Sequence, residues 1–249
     1  MSRLLSRHVG ERASRLRGVA RHFPAPLVTP RMLDSVSDRV GYIPATISFV
    51  ASSIDTTDLT TVTFTAHAIG AAHKNRKVVV AVTGAVSTRT VSTLTVAGAS
   101  AELVRRQQSG TTTVEMWQAD VMEGTTGDIV VTWSGAQDRT GIGVWAVYNA
   151  RRYAHDTQAS TVLDPSVSLI VPADGVAIAV NLPNGSGTTS HLWTGLTEQY
   201  DQNLEGVSGR QSGASGSFTS KQSALTVTAD MSDNPGTQAL VAASWGPIK

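Results

Sequence analysis

Six histidines, five tryptophans and 19 acidic residues are the side chains of this 249-residue chain with most chemistry to offer. Catalysis would require some of them to converge as a nucleophile with its base, an acid with a base, or a ligand cluster. The Gly-x-Ser-x-Gly elbow, the phosphate-cradling Gly-Lys-Ser/Thr loop, the His-Glu-x-x-His zinc helix and the EF-hand loop are all missing. His67 falls on the Thr-bearing polar side of an alternating stretch and reads as a solvated histidine, while His155-Asp156 is an isolated pair in an expected loop. Glu198, Asp201 and Glu205 occupy a polar stretch where solvated surface is the default, although a glycosidase would draw its two carboxylates from such a group. The turn Asp230-Met231-Ser232-Asp233-Asn234-Pro235 has oxygen ligands enough for calcium and reads equally as a hairpin loop. The expectation is a non-enzymatic protein with no catalytic residue, no metal site and no cofactor.

Aromatic faces can also stack on pyranose rings. Trp145 and Trp245 lie in apolar runs and read as core, and among the five tryptophans Trp117 and Trp193 are the better surface candidates for glycan contact. The chain has no cysteine, so thiolate metal sites, disulfides and cysteine nucleophiles are excluded.

Charge is more informative by position than in total. Residues 1–40 carry eight arginines against Glu11, Asp34 and Asp38, while the rest of the chain has 12 basic and 16 acidic residues. A basic arm therefore precedes a mildly acidic body. Leu5, Val9, Ala13, Leu16, Ala20 and Phe23 recur every three or four residues, the spacing of one helix face. Gly10 and Gly18 each weaken that helix by about 1 kcal/mol relative to Ala, so it is expected to order against a partner surface. Pro24-Ala25-Pro26 stops it, and Thr29-Pro30 starts a short second helix through about Arg39. The predicted docking set is Arg3, Leu5, Arg7, Val9, Arg12, Arg15, Leu16, Arg17, Arg21 and Phe23, with the apolar stripe buried and the arginines making forked hydrogen bonds. Nucleic acid is the weaker partner, because no basic body stands behind the arm. The same segment resembles a mitochondrial presequence in its arginines and scarce acid, but it has no uninterrupted apolar stretch of the secretory kind. No run of about 18 consecutive apolar residues occurs, so no membrane span is expected.

Beyond residue 45 the period becomes two. Thr61–Ala68 alternates as a strand with one wet face, whereas Val78–Val82 is continuously apolar and suits a strand covered on both sides. Further strands are expected at Thr93–Val96, Val114–Gln118, Ile129–Trp133, Gly143–Tyr148, Ser168–Val171, Val176–Leu182, His191–Thr194, Leu225–Ala229 and Ala239–Trp245. The Gly/Ser-rich stretch Gly206–Ser220 reads as a long connection. Val78–Val82 matches Val176–Val180, Thr93–Gly98 matches His191–Gly195, and Ile129–Trp133 with Gly141–Tyr148 corresponds to Leu225–Ala229 with Thr237–Trp245. The expected fold is all-β: a β-sandwich or jelly-roll-like body over 46–249, built from similar halves near 48–149 and 153–247, behind a helical arm over 1–45.

The segments Phe64-Thr65-Ala66-His67-Ala68-Ile69-Gly70, Asn75–Val82, Leu94–Gly98 and Gly124–Thr132, with Trp193–Glu198 and Ser244–Pro247 later, resemble β-rich structural proteins of tailed bacteriophages and prophages, of the decoration, spike or tail-fibre type. The resemblance covers about residues 48–249 and rests on turns and strands, so it carries over no site residues. It implies a virion component assembled in the bacterial cytoplasm, present in several copies and docked by the arm to capsid or tail proteins. A carbohydrate-binding, host-recognition module is the rival expectation.

Overall fold

The computed structural model describes residues 41–185, 189–204, 209–233 and 236–249, and these are all-β. The helical arm expected over 1–45 lies outside them except for its last five positions. Nine strands come from the first half: β1 (Thr46–Asp55), β2 (Leu59–Ala68), β3 (Arg76–Ala85), β4 (Val91–Val96), β5 (Ala99–Ser100), β6 (Glu102–Ser109), β7 (Thr112–Asp120), β8 (Thr126–Gln137) and β9 (Arg139–Tyr148). Eight come from the second: β10 (Asp156–Ser160), β11 (Ser166–Val171), β12 (Gly175–Pro183), β13 (His191–Thr194), β14 (Thr197–Asn203), β15 (Arg210–Phe218), β16 (Gln222–Met231) and β17 (Gln238–Trp245).

They form four antiparallel sheets, ordered β1-β9-β3-β7-β6, β2-β8-β4-β5, β10-β17-β12-β15-β14 and β11-β16-β13. One connectivity is written twice. With the two-residue β5 set aside, each five-stranded sheet runs first, eighth, third, sixth, fifth in its half, and each smaller sheet runs second, seventh, fourth.

The sheets stack in four layers with the two five-stranded sheets innermost. Val79, Ala81, Met116, Trp145 and Val147 of the first half meet Val176, Ile178, Val180, Val241 and Trp245 of the second in a central seam. Val78, Val80 and Val82 turn the other way, onto Leu94, Ile129, Val131 and Trp133 of the four-stranded sheet. Ala177 and Ala179 likewise turn onto Leu169, Val227 and Ala229 of the three-stranded sheet. This explains the unbroken apolar runs of β3, β12 and β17, since strands with both faces covered have no wet side on which to place a polar residue. Thr-rich sides of β2 and β16 face outward, as alternation requires.

Alternation also corrects the residue-by-residue match between the halves. Pairing Val78–Val82 with Val176–Val180 sets side chains of opposite faces against each other, because Val78 points to an outer core and Val176 to the seam. A slip of one residue reverses every side chain, and with both faces apolar nothing in the composition reveals the parity.

Candidate functional site

The arm residues Arg3, Leu5, Arg7, Val9, Arg12, Arg15, Leu16, Arg17, Arg21 and Phe23 lie outside the described residues. Of the two candidate glycan contacts, Trp117 is enclosed rather than presented at the surface. It is 7% exposed in the outer core of the first half. Its indole nitrogen donates to Glu115 Oε2 at 2.8 Å, and that buried carboxylate also accepts from Val91 N at 2.8 Å and from Arg106 Nε at 2.7 Å and Nη2 at 3.1 Å. Its polar neighbours on β7, Glu115 and Gln118, are themselves buried and paired, as a charge in an interior must be.

Trp193 is half-buried on β13, the edge of the three-stranded sheet. Its indole nitrogen donates to Ser212 Oγ at 2.8 Å, and its ring lies near-parallel to His191 at 6.3 Å. His191 in turn meets Asp201, with Nδ1 3.1 Å from Oδ1 and its backbone N–H donating to Oδ2 at 2.9 Å. Arg210 Nε lies 2.7 Å from the same Oδ1. Burial by itself raises the Asp201 pKa, but the bonds from His191 and the contact with Arg210 outweigh it, and the carboxyl stays below its usual range. Glu198, on the same strand, is shifted upward by desolvation and by the Asp201 charge. The acidic stretch expected to be solvated surface therefore contains one carboxylate folded into a network joining β13, β14 and β15.

Other expected polar sites are bonded into the frame. His67 shares a hydrogen bond with Ser53 Oγ at 3.1 Å and another with Ala68 O at 2.9 Å. Asp156 opens β10 and accepts from Ile170 N at 2.7 Å. Asp233, in the turn weighed for calcium, accepts from Thr189 N at 2.8 Å. Among the described residues, no three His, Asp or Glu side chains are grouped to hold a metal ion, and no helix is long and apolar enough to cross a membrane.

Within the Gly/Ser-rich stretch read as a connection, Arg210–Phe218 is instead β15, an interior strand of the second five-stranded sheet. Its small residues answer a packing demand. Tyr200 of β14 stacks on Phe49 at 5.5 Å and tilts against Trp145 at 5.8 Å. A Cβ on Gly213 would lie 2.4 Å from Tyr200 and 2.8 Å from Trp145, and one on Gly143 would lie 2.4 Å from Tyr200. The rings fit in the seam because two strands lack side chains beside them.

A cleft of about 160 Å³ opens where Lys77, Ser100, Glu102, Gln118, Asp120 and Arg152 meet. Register assembles it: Lys77 stands opposite Asp120 across β3 and β7, and Glu102 opposite Gln118 across β6 and β7. Alternation then places Gln118 and Asp120 on one face of β7. Lys77 Nζ donates to Asp120 Oδ1 at 2.7 Å, and Arg152 Nη2 to Glu102 Oε1 at 3.2 Å. Gln118 Nε2 holds the Arg152 carbonyl at 2.9 Å. Sequence reading passed over this group because its members are scattered from 77 to 152 and only cross-strand register brings them together. Comparison of the chain with protein-family models finds no match, and neither the curated proteins nor the solved structures offer a similar one.

Proposed function

We propose that this chain is a non-enzymatic structural protein of a virion, a tailed phage or phage-derived particle, attached to capsid or tail by its basic N-terminal arm and projecting the layered body as a decoration, spike or fibre domain. The observation that carries the reading is how the buried charge is used. Arg76 donates from Nε to Val121 O at 2.6 Å, from Nη1 to Gly70 O at 2.6 Å and Gly124 O at 2.8 Å, and from Nη2 to Glu123 O at 2.7 Å. Glu115 ties Arg106, Trp117 and the backbone of β4, and Asp201 ties β13, β14 and β15. These side chains lock loops and edges onto a stiff stack of sheets, which is what a projecting module requires.

The halves are read as copies of one jelly-roll-like unit. Their shared strand order differs from an eight-stranded jelly roll in pairing the fifth strand with the sixth instead of the fourth. Repeated subunits suit this role, because a modest docking arm gains strength when many are displayed on a symmetric particle. Deletion of residues 1–23 tests the attachment. The body is expected to remain folded and to fail to join its particle, as read by imaging of assembled particles; unchanged incorporation rules the arm out.

The second reading, a carbohydrate-binding module for host recognition, is favoured by the polar cleft and by half-buried Trp193. A glycan array probes it directly. Binding that falls when Trp193 or the cleft residues are replaced supports the module, and a blank array removes it.

A further inference from the structure

We infer that the cleft between β3, β6, β7 and Arg152 is a binding site for one neutral, hydroxyl-rich ring, such as the terminal residue of a surface glycan. The inference rests on the carbohydrate reading above and gives it a location.

Charge selects the ligand class. Lys77 and Arg152 oppose Asp120 and Glu102 around the opening, so the formal charges cancel. An anion would meet the two carboxylates and a cation the two basic groups, whereas a polyol can donate to the carboxylates and accept from the cations. Gln118 closes the same wall from behind, its amide engaged at both ends by the Trp245 indole and the Arg152 carbonyl, so the four charged groups are left to make the polar contacts.

Burial supports the same conclusion. The Lys77 side chain is only 4% exposed, yet it lines the cleft, and Asp120 receives one of its three N–H donors. A nearly buried ammonium is well placed to donate to a ligand hydroxyl, since such a bond forms away from bulk water. The volume of about 160 Å³ is below the roughly 300 to 1,000 Å³ of pockets for drug-sized ligands, which restricts the occupant to about one ring.

The site is also preorganised. The walls from β3, β6 and β7 belong to one sheet, Ser100 adds the β5 edge of the four-stranded sheet, and the Arg152 segment is pinned: Gln118 holds the Arg152 carbonyl, Arg151 N donates to Gly246 O at 2.9 Å, and Arg151 Nε donates to Pro247 O at 3.2 Å. The Arg152 guanidinium lies 5.2 Å from the centre of the exposed Tyr153 ring, a cation–π contact at the mouth of the cleft.

The test is a titration of the full chain with neutral monosaccharides (glucose, galactose, mannose and N-acetylglucosamine), followed by amide and side-chain NMR shifts, with inorganic phosphate as the charged comparison. At least one sugar is expected to shift signals of residues 77, 100, 102, 118–120 and 152 at millimolar concentration, with phosphate weaker. Arg152→Ala and Glu102→Gln alter half-exposed side chains and leave the fold intact; each is expected to weaken binding about tenfold, the effect of a lost charged hydrogen bond. Shifts confined to Trp193 and β13 overturn this site while the carbohydrate reading stands. Phosphate binding tighter than every sugar, or sugar binding unchanged in both variants, also overturns it. Silence in the titration together with a blank glycan array overturns both.

Discussion

The indole nitrogen of Trp245 donates to the side-chain carbonyl of Gln118 at 2.9 Å, across the central seam and between residues 127 positions apart. The same amide, through Nε2, holds the backbone of Arg152 in the segment that joins the halves. One carboxamide thus fastens the last strand of the second half to β7 of the first, and does so at the apolar seam between the two five-stranded sheets.

Replacing that amide is expected to cost more than one average hydrogen bond. Gln118→Leu strands the Trp245 indole N–H in the interior and should destabilise the body by about 1–3 kcal/mol in chemical denaturation. Adding Trp245→Phe removes the orphaned donor, so the double variant should recover part of the loss. Simple additivity of the two would argue against the coupling.

The aromatic cluster predicts an overpacking penalty at β15. Gly213→Ala places a methyl group against Tyr200 and Trp145, and about 1–3 kcal/mol of stability should be lost. In a Tyr200→Leu background the same change should cost clearly less, which thermal or urea unfolding of the four proteins will resolve.

Arg76 reaches four carbonyl oxygens on the segments before β3 and after β7. Burial lowers its pKa, yet an arginine remains charged throughout the working range. Arg76→Met leaves those carbonyls without their donor and should cost roughly 3 kcal/mol or more, because bonds from a charged group are worth about 1.5–3 kcal/mol each and are not additive. Arg76→Lys keeps the charge and loses the fork, so it should rescue only partly. Limited proteolysis at residues 69–75 and 121–125 provides a local readout.

Asp201 and Glu198 should give opposite pH signatures. The Asp201 pKa is lowered from 3.8, so its contribution is present above the unfolded value and is lost as pH falls through the lower folded one. Asp201→Asn should therefore destabilise near neutrality by about 2 kcal/mol, the scale of hydrogen bonds to a charge, with the gap closing in acid. The Glu198 pKa is raised from 4.5, so the folded state disfavours its charge and Glu198→Gln should be slightly stabilising at neutral pH, with no gain in acid. Urea midpoints measured from neutrality down into acid check both signs.

Much of the strand pattern was legible. Each of the eleven expected strands falls within an observed one, because alternation and continuous apolar runs are local properties that report how many faces are covered. Five longer strands were not anticipated, and four of them share a cause. β1, β6, β10 and β14 are the edges of the five-stranded sheets, where half-exposed polar sequences such as Thr197–Asn203 are normal and carry weak strand signals. The fifth, β15, is an interior strand disguised by glycine and serine, and only the rings of Tyr200 and Trp145 explain the glycine at 213.

Composition and periodicity by themselves determined an all-β body with fully covered central strands, and they separated an arginine-rich arm from it, since both are written in neighbouring residues. The tertiary structure alone decided which face each covered strand turns to the seam, that Trp117 and Glu115 are interior partners, and that Lys77, Glu102, Asp120 and Arg152 surround one cleft. Those outcomes depend on cross-strand register and layer stacking, which bring together residues far apart in the chain, and a hydrogen-bond partner across a sheet leaves no local trace in either sequence.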